Sequence, residues 1–241
     1  MLVKRRAAWY NIAVMDCKHY IDLISGEYKD KFEQFKNLLL DYNNKFNLTA
    51  ITDEKEVYIK HFLDSVAGES FFTQNASVVE IGSGGGFPSI PLKLVRDDLK
   101  FLLIESTGKK CGYLQTVVDK LNLKGVQVKN ARAEDAAREV IHREKYDFAV
   151  ARAVARLNTL CEYCIPFVKV GGKFVAYKGG AEEEIKEADN AIKILGGELE
   201  KIEQYELPND EKRTLIIIKK VAHTPRQYPR GQGKERKAPL I

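Results

Sequence analysis

The chain has 241 residues, of which 44% are hydrophobic and 30% are charged, and its formal net charge is +5. This length and balance suit one sizeable folded core, and they exclude a fibrous or mainly disordered protein. No apolar run approaches the roughly 18 residues of a membrane span, so we expect no membrane attachment and a cytoplasmic location. Polar residues soon interrupt the basic N-terminus, which argues against a secretory signal.

Residues 1–75 show helical spacing of apolar residues and no strand pattern, so we predict an N-terminal helical segment. In residues 30–43, Phe32, Phe35 and Leu39 recur at the spacing of one helix face. A second helix is predicted after Thr52. The first 14 residues look like an extension, since Met15 would be a more typical start than Met1.

Residues 76–222 alternate between short apolar runs and helical patterns. The predicted strands are 78–81, 101–104, 126–128, 148–151 and 174–177, and the predicted helices are 88–96, 109–121, 133–141, 157–168 and 182–194. This alternation is typical of an α/β fold whose parallel sheet is covered on both faces. At the end, only a short loop at 208–210 precedes the run RTLIIIKK, so the last two strands must be antiparallel.

The basic C-terminal tail, residues 223–241, has a net charge of +4 and leaves +1 for the other 222 residues. Such a tail favours an arm that binds a polyanion such as RNA. A solvated tail that only aids solubility is the alternative. The candidate RNA-binding residues are Arg226, Arg230, Lys234, Arg236 and Lys237.

The four cysteines do not form the disulfide framework of a small secreted protein. Cys161 and Cys164 have the spacing of a metal or redox pair, but no second pair and no histidine at ligand spacing accompany them. They lie in the apolar segment TLCEYCIPFV. We therefore predict cysteines that pack in the core, and no metal site.

A glycine-rich turn follows the first predicted strand in SVVEIGSGGGFP, residues 77–88. The dinucleotide fingerprint G-x-G-x-x-G fails because Phe87 stands where the third glycine belongs, and the chain has no P-loop pattern. What fits is acid-x-Gly-x-Gly-x-Gly, formed by Glu80, Gly82, Gly84 and Gly86. This motif resembles that of the class I S-adenosylmethionine-dependent methyltransferases, a Rossmann-like fold with an antiparallel last strand. A carboxylate for the ribose hydroxyls is expected after the second strand, where Glu105 stands.

Seven segments in order resemble one family within this class, the glucose-inhibited division protein B family of bacterial methyltransferases. They are NKFNLTAIT, HFLDSV, VEIGSGGGFPSIPLKL, ESTGKKCGYLQ, RAEDAA, YDFAVARAVARL and VAYKG. The resemblance runs from about residue 43 to 220. It implies transfer of a methyl group from S-adenosylmethionine to guanine N7 in small-subunit (16S) ribosomal RNA.

The resemblance also implies which residues contact the cofactor. They are Gly82, Phe87, Glu105, Ser106, Thr107, Ala133, Glu134 and Arg152, which join Glu80, Gly84 and Gly86 of the glycine motif. Lys178, after the fifth strand, is expected to face RNA. Asn47, Thr49, His61 and Asp64 also match family positions, and we interpret His61 and Asp64 as a structural pair on one helix face.

Guanine N7 carries a lone pair and no proton, so we predict no catalytic acid or base; orientation of the base is the protein's task. The expected partner is small-subunit RNA, either naked or within the subunit, and the chain is expected to be a monomer. Two other functions stay open. One is a noncatalytic RNA-binding or assembly factor on this fold, and the other is a methyltransferase for small molecules or proteins.

Overall fold

A computed structural model describes residues 17–241, so the question of Met1 or Met15 as the start lies outside the described residues. Its centre is one seven-stranded sheet with the order β3-β2-β1-β4-β5-β7-β6. The strands β1 to β5 run parallel, and β7 pairs antiparallel with both β5 and β6. This confirms the predicted α/β fold and its antiparallel ending. The strands are β1 (Ser77–Ile81), β2 (Lys100–Glu105), β3 (Val126–Asn130), β4 (Tyr146–Arg152), β5 (Val168–Lys178), β6 (Gly197–Glu206) and β7 (Lys212–Lys220).

The helices before β1 are α1 (Cys17–Ser25), α2 (Lys29–Asn43), α3 (Glu54–Glu56) and α4 (Asp64–Val66). The chain forms a π-helix over Val57–Leu63, between α3 and α4. Such segments are rare and often mark functional sites. Here the carbonyl oxygens of Lys60 and His61 accept hydrogen bonds from a side chain of β4.

The five helices predicted after β1 are present in the predicted order, and the C-terminal tail contains a sixth, short helix that was not predicted. They are α5 (Ser89–Val95), α6 (Gly108–Lys120), α7 (Ala133–Ala136), α8 (Leu157–Cys164), α9 (Glu182–Ile194) and α10 (Lys234–Lys237). Two predicted helices were too long. The helix predicted over 133–141 ends at Ala136, because Val140 and Ile141 are 83% and 69% exposed and supply no packing face. The helix predicted over 157–168 ends at Cys164, because Pro166 has no N–H to donate to the Glu162 carbonyl and so cannot continue the hydrogen bonds of the helix.

Two apolar layers cover the sheet. Buried residues of α1 and α2 belong to the same core as the inner residues of β1 and β2. The opposite face is covered by α8 and α9, where Cys161 and Cys164 are free and buried as packing residues. The helices before β1 thus share their core with the sheet. The division into residues 1–75, 76–222 and 223–241 stays a prediction.

The C-terminal tail lies against the body of the protein. The Arg143 guanidinium donates to the carbonyl oxygens of Thr224 and Tyr228 at 2.9 and 2.8 Å. Arg230 pairs with the fully buried carboxylate of Glu162, at 2.8 Å from Nη2 and 2.8 Å from the backbone N–H. A buried carboxylate and backbone carbonyls therefore hold the tail in place, and its binding to a polyanion stays a prediction.

We expect Arg230→Ala to lower the free energy of unfolding by about 2–4 kcal/mol, because it leaves the Glu162 carboxylate buried without its cation. The matched control is Arg226→Ala, an exposed arginine of the same tail, with an expected effect within about 0.5 kcal/mol. Urea denaturation measures both. Equal stabilities of the two variants would show that the Arg230 pair does not hold the tail.

Candidate functional site

The glycine-rich turn links the end of β1 to α5 and bends through three residues with positive φ, Gly82, Gly84 and Gly86. The Gly82 N–H donates to the Ile104 carbonyl at 2.8 Å, which ties the turn to β2. A Cβ at Gly82 would lie 2.8 Å from Val154 Cγ2, and one at Gly86 would lie 2.6 Å from Ile90 Cγ1. Side chains are therefore excluded here by both conformation and space.

The carboxylate of Glu105 is held beside this turn. One oxygen accepts the Gly84 N–H at 3.0 Å, and the other accepts the Thr107 N–H at 2.8 Å. The residue is only 6% exposed. A carboxylate has about four acceptor positions, so Glu105 keeps acceptors for a ligand while the backbone fixes its direction.

A cavity of about 480 Å³ opens over the turn and is lined by residues from the ends of β1, β2 and β4 and from the N-terminal segment. This is the position at which ligands bind in open parallel sheets. Of the predicted residues, it includes Gly82, Gly84, Phe87, Glu105, Ser106, Thr107 and Arg152; Leu48, Thr49, His61, Ser83, Gly85, Lys110, Ala153 and Val154 complete it.

A second cavity, of about 80 Å³, adjoins the first through the shared residues Gly82, Ser106 and Val154. Ala133 and Glu134 line it, so these two predicted residues lie beside the main cavity and not within it. Tyr163 and Arg236 are further lining residues. A third cavity of about 600 Å³ lies apart, between the start of α9 and the β6–β7 hairpin, and none of the predicted cofactor residues lines it.

Phe87 has two roles. Its ring faces the main cavity and stacks on the His61 imidazole, with ring centroids 4.3 Å apart. The same ring packs on Phe35 of α2 at 5.6 Å. It therefore both walls the cavity and anchors the turn to the N-terminal helices.

Arg152 also lines the main cavity, but its donors are directed at the N-terminal segment. Nη2 donates to the Lys60 carbonyl at 2.6 Å, and Nε lies 3.1 Å from Asp64 Oδ2. Further contacts reach the His61 carbonyl and the Ser65 hydroxyl, both at 3.4 Å. The sequence predicts a cofactor contact for Arg152, and the structure adds a clamp between β4 and the residues before β1.

The contacts of His61 determine its tautomer. Nδ1 lies 3.0 Å from Arg152 Nη2, which can only donate, so Nδ1 must accept and Nε2 must carry the hydrogen. Burial, with the Arg152 charge beside it, lowers the pKa of His61 to about 3. The imidazole is therefore neutral, and Nε2–H donates to Thr49 Oγ1 at 2.7 Å.

Thr49 Oγ1 also accepts the Ile51 N–H at 3.0 Å, so both of its lone pairs are occupied. Its hydroxyl hydrogen remains to be donated, and Thr49 lines the main cavity. Thr49 and Lys110 are residues of this cavity that the predicted contacts lack. The sequence offered a signal for each of them. Thr49 lies in the segment NKFNLTAIT, which resembles the family, and Lys110 lies in the first turn of the helix that follows Glu105.

Glu80 lies beneath the turn, is 0% exposed and does not line the cavities described above. Neither of its oxygens has a hydrogen-bond partner among the described residues, and the same holds for the Ser83 and Ser89 hydroxyls. Burial raises the pKa of Glu80 to about 8, although the nearby Ser89 and Ser83 hydroxyls oppose the rise. A direct cofactor contact of Glu80 stays a prediction; the structure gives it a place in the support of the turn.

Two of the predicted RNA-binding cations are paired within the protein. Lys178 Nζ lies 2.7 Å from Glu184 Oε2 and donates to the Ala155 carbonyl, with 10% of its side chain exposed. Arg230 is paired with Glu162, as described above. By contrast Arg226, Lys234, Arg236 and Lys237 are exposed. RNA binding by all six stays a prediction, and pairing disfavours it for Lys178 and Arg230.

Within residues 17–241, none of the helices combines the length and apolar character that a membrane crossing requires. Over the same residues, the His, Cys, Asp and Glu side chains form no group of three or more that could hold a metal ion.

The variant Glu80→Gln tests whether the raised pKa of the buried Glu80 carboxyl makes the stability of the protein depend on pH. A folded-state pKa above the unfolded value means that the folded protein binds the extra proton, so wild-type stability is lost as pH rises from about 4.5 through 8. We expect the glutamine variant to lack this component, and to gain stability relative to wild type between pH 5 and pH 8.5. Urea denaturation across this range measures the difference, and parallel curves for the two proteins would contradict the assignment.

Comparisons with known proteins give a consistent result. The model of the family described as rRNA small subunit methyltransferase G matches residues 28–216. Two relatives named Ribosomal RNA small subunit methyltransferase G come from Brevibacillus brevis and Clostridium novyi. The first is 46% identical over 90% of this chain and 93% of its own length, and the second is 47% identical over 89% and 92%.

Solved structures share the fold at lower identity. A SAM-dependent methyltransferase from Aquifex aeolicus has a TM-score of 0.52 and 17% identity, over 74% of this chain and 97% of its own. TYW2 from M. jannaschii in complex with AdoMet has a TM-score of 0.52 and 16% identity, over 66% and 77%. The structures support the methyltransferase fold alone. The family match and the close relatives go further and confirm the resemblance read from the sequence: the chain belongs to the rRNA small subunit methyltransferase G family.

Proposed function

We propose that this protein transfers a methyl group from S-adenosylmethionine to N7 of a guanine in small-subunit ribosomal RNA. The observation that carries the proposal is the Glu105 carboxylate, held by two backbone N–H groups at the mouth of a glycine-lined cavity. The relatives' names supply the substrate class, and the family resemblance supplies the N7 position.

The residues of the main cavity fit S-adenosylmethionine. The cavity volume of about 480 Å³ lies in the range of small-molecule sites, about 300–1,000 Å³. Glu105 has the free acceptors that two ribose hydroxyls require. A ligand can approach the backbone at Gly84, where an added Cβ would meet only the Gly82 carbonyl oxygen, at 3.8 Å. Phe87, Ser106 and Thr107 would complete the contacts there. When bound, the cofactor supplies an activated methyl group on a sulfonium sulfur.

The protonation state of His61 in the main cavity supports a target atom that carries no proton. His61 cannot serve as a general base, because Nδ1 already accepts from Arg152 and Nε2 carries a hydrogen. N7 of guanine needs no base, since its lone pair attacks directly. The chain's own contribution is to orient the guanine and to exclude water, which can account for a large part of the rate.

Access for RNA is supported by cations at the edge of the site. Lys110 lines the main cavity, and the exposed Arg132 and Arg236 line the smaller one. These cations can hold phosphates, while a guanine drawn out of a single-stranded region enters the cavity. We propose that a monomer acts in the cytoplasm, on naked RNA or on the subunit.

Glu105→Gln is expected to weaken the binding of S-adenosylhomocysteine about ten- to hundredfold, the range for loss of hydrogen bonds to a charged group. The amide also cannot accept at both ends, so the N–H of either Gly84 or Thr107 loses its partner. The control Glu187→Gln removes an exposed carboxylate of α9, and binding should not change. Isothermal titration calorimetry measures the affinity of both variants for S-adenosylhomocysteine. Unchanged affinity in Glu105→Gln would show that Glu105 does not bind the ligand.

The activity itself is tested with small-subunit RNA that lacks the modification, supplied naked and as subunits together with S-adenosylmethionine. We expect 7-methylguanosine in nucleoside mass spectrometry with at least one of the two substrates. Its absence with both substrates would refute the proposal. RNA binding without methyl transfer would then indicate an assembly factor, and cofactor turnover without RNA would indicate another class of substrate.

A further inference from the structure

The C-terminal tail reaches the cofactor site through α10. The Thr159 hydroxyl of α8 donates to the Glu235 carbonyl at 3.0 Å, and the Glu235 side chain is fully buried. These contacts place the next residue, Arg236, at the wall of the smaller cavity. Its Nη2 lies 3.4 Å from the Val154 carbonyl, close to the upper limit for a hydrogen bond. Arg236 is therefore positioned by the helix but only weakly held at its guanidinium.

The smaller cavity is the continuation of the site beyond Glu105. It shares Gly82, Ser106 and Val154 with the main cavity and extends towards the residues that follow β3. A ligand whose ribose meets Glu105 would therefore direct its base into this space. The space measures about 80 Å³, much less than the main cavity, so a purine that enters it would press against the side chains of its wall.

The movable part of that wall is identified by exposure. Tyr163 and the residues from β1 and β2 are buried, whereas Arg132 and Arg236 are exposed. Arg236 also lies close to the Tyr163 hydroxyl, where it opposes the rise in the tyrosine pKa caused by burial. Its guanidinium can leave the long contact with Val154 at little cost. A planar guanidinium can then stack on an aromatic base or donate to its ring nitrogens.

We propose that the C-terminal tail is a wall of the cofactor site, and that Arg236 moves off the Val154 carbonyl and closes over the adenine of the bound cofactor. This inference rests on the proposed function, because it takes the ligand to be S-adenosylmethionine. The tail is suited to this role because Arg230, Arg143 and Glu235 already hold it in place. Ordering it on binding therefore costs little entropy.

The test compares Arg236→Ala with Lys237→Ala, the adjacent exposed lysine of α10 with the same loss of charge. Arg236→Lys keeps the charge and loses the planar group. Binding of S-adenosylhomocysteine is measured by calorimetry, and binding of a small-subunit RNA fragment by fluorescence anisotropy. We expect about tenfold weaker cofactor binding in Arg236→Ala, only partial recovery in Arg236→Lys, and a change under twofold in Lys237→Ala. Hydrogen exchange of residues 231–238 should slow when wild type binds the ligand.

Wild type serves as the reference that separates this proposal from the proposed function. If wild type binds the ligand and methylates RNA but Arg236→Ala binds as tightly, the proposal about the tail is overturned and the function stands. If wild type does not bind S-adenosylhomocysteine, the proposed function and the tail proposal both fall. If both alanine variants lose RNA affinity equally and keep their cofactor affinity, the tail binds RNA. That result would overturn the proposal that the tail forms a wall of the cofactor site.

Discussion

The hydrogen bonds of the Arg152 guanidinium connect the sheet to the segment that precedes it. A largely buried guanidinium requires an acceptor for most of its N–H groups. Here the acceptors are the carbonyls of Lys60 and His61 in the π-helix and the carboxylate of Asp64 in α4. The same contacts orient His61, which in turn stacks on Phe87 and supports Thr49. The Arg152 side chain at the end of β4 thus helps to position His61, Phe87 and Thr49, which all line the main cavity.

The two glutamates beside the glycine turn, Glu80 and Glu105, differ in their hydrogen-bond partners and in their position relative to the cavity. Glu105 receives two backbone N–H groups and faces the cavity, whereas Glu80 is enclosed without a hydrogen-bond partner among the described residues. Both occur at the end of an apolar strand, so their sequence contexts look alike. Their different positions follow from strand geometry, since only Glu105 ends its strand at the rim, while Glu80 precedes the last residue of β1.

Much of the fold was accessible from periodicity. The predicted strands all exist, and α9 begins and ends at the predicted residues. The signal is clearest for the central strands β1, β2 and β4, because their burial on both faces requires continuous apolar runs. The helix predicted over 133–141 failed for the opposite reason: Val140 and Ile141 are apolar in sequence but exposed in the structure. Pattern alone cannot tell whether an apolar residue finds a packing partner.

The sequence by itself indicated the cofactor class and the strand that carries it, because Glu80, Gly82, Gly84 and Gly86 resemble the motif of the S-adenosylmethionine-dependent methyltransferases. It also determined the ribose candidate Glu105, because the ends of neighbouring parallel strands must meet at one edge. Only the tertiary structure decided which cations are free. Arg230 and Lys178 are paired with the carboxylates of Glu162 and Glu184, whereas Arg236 lines the smaller cavity. The reason is physical: a charge in a sequence has no partner until folding brings residues distant along the chain into contact.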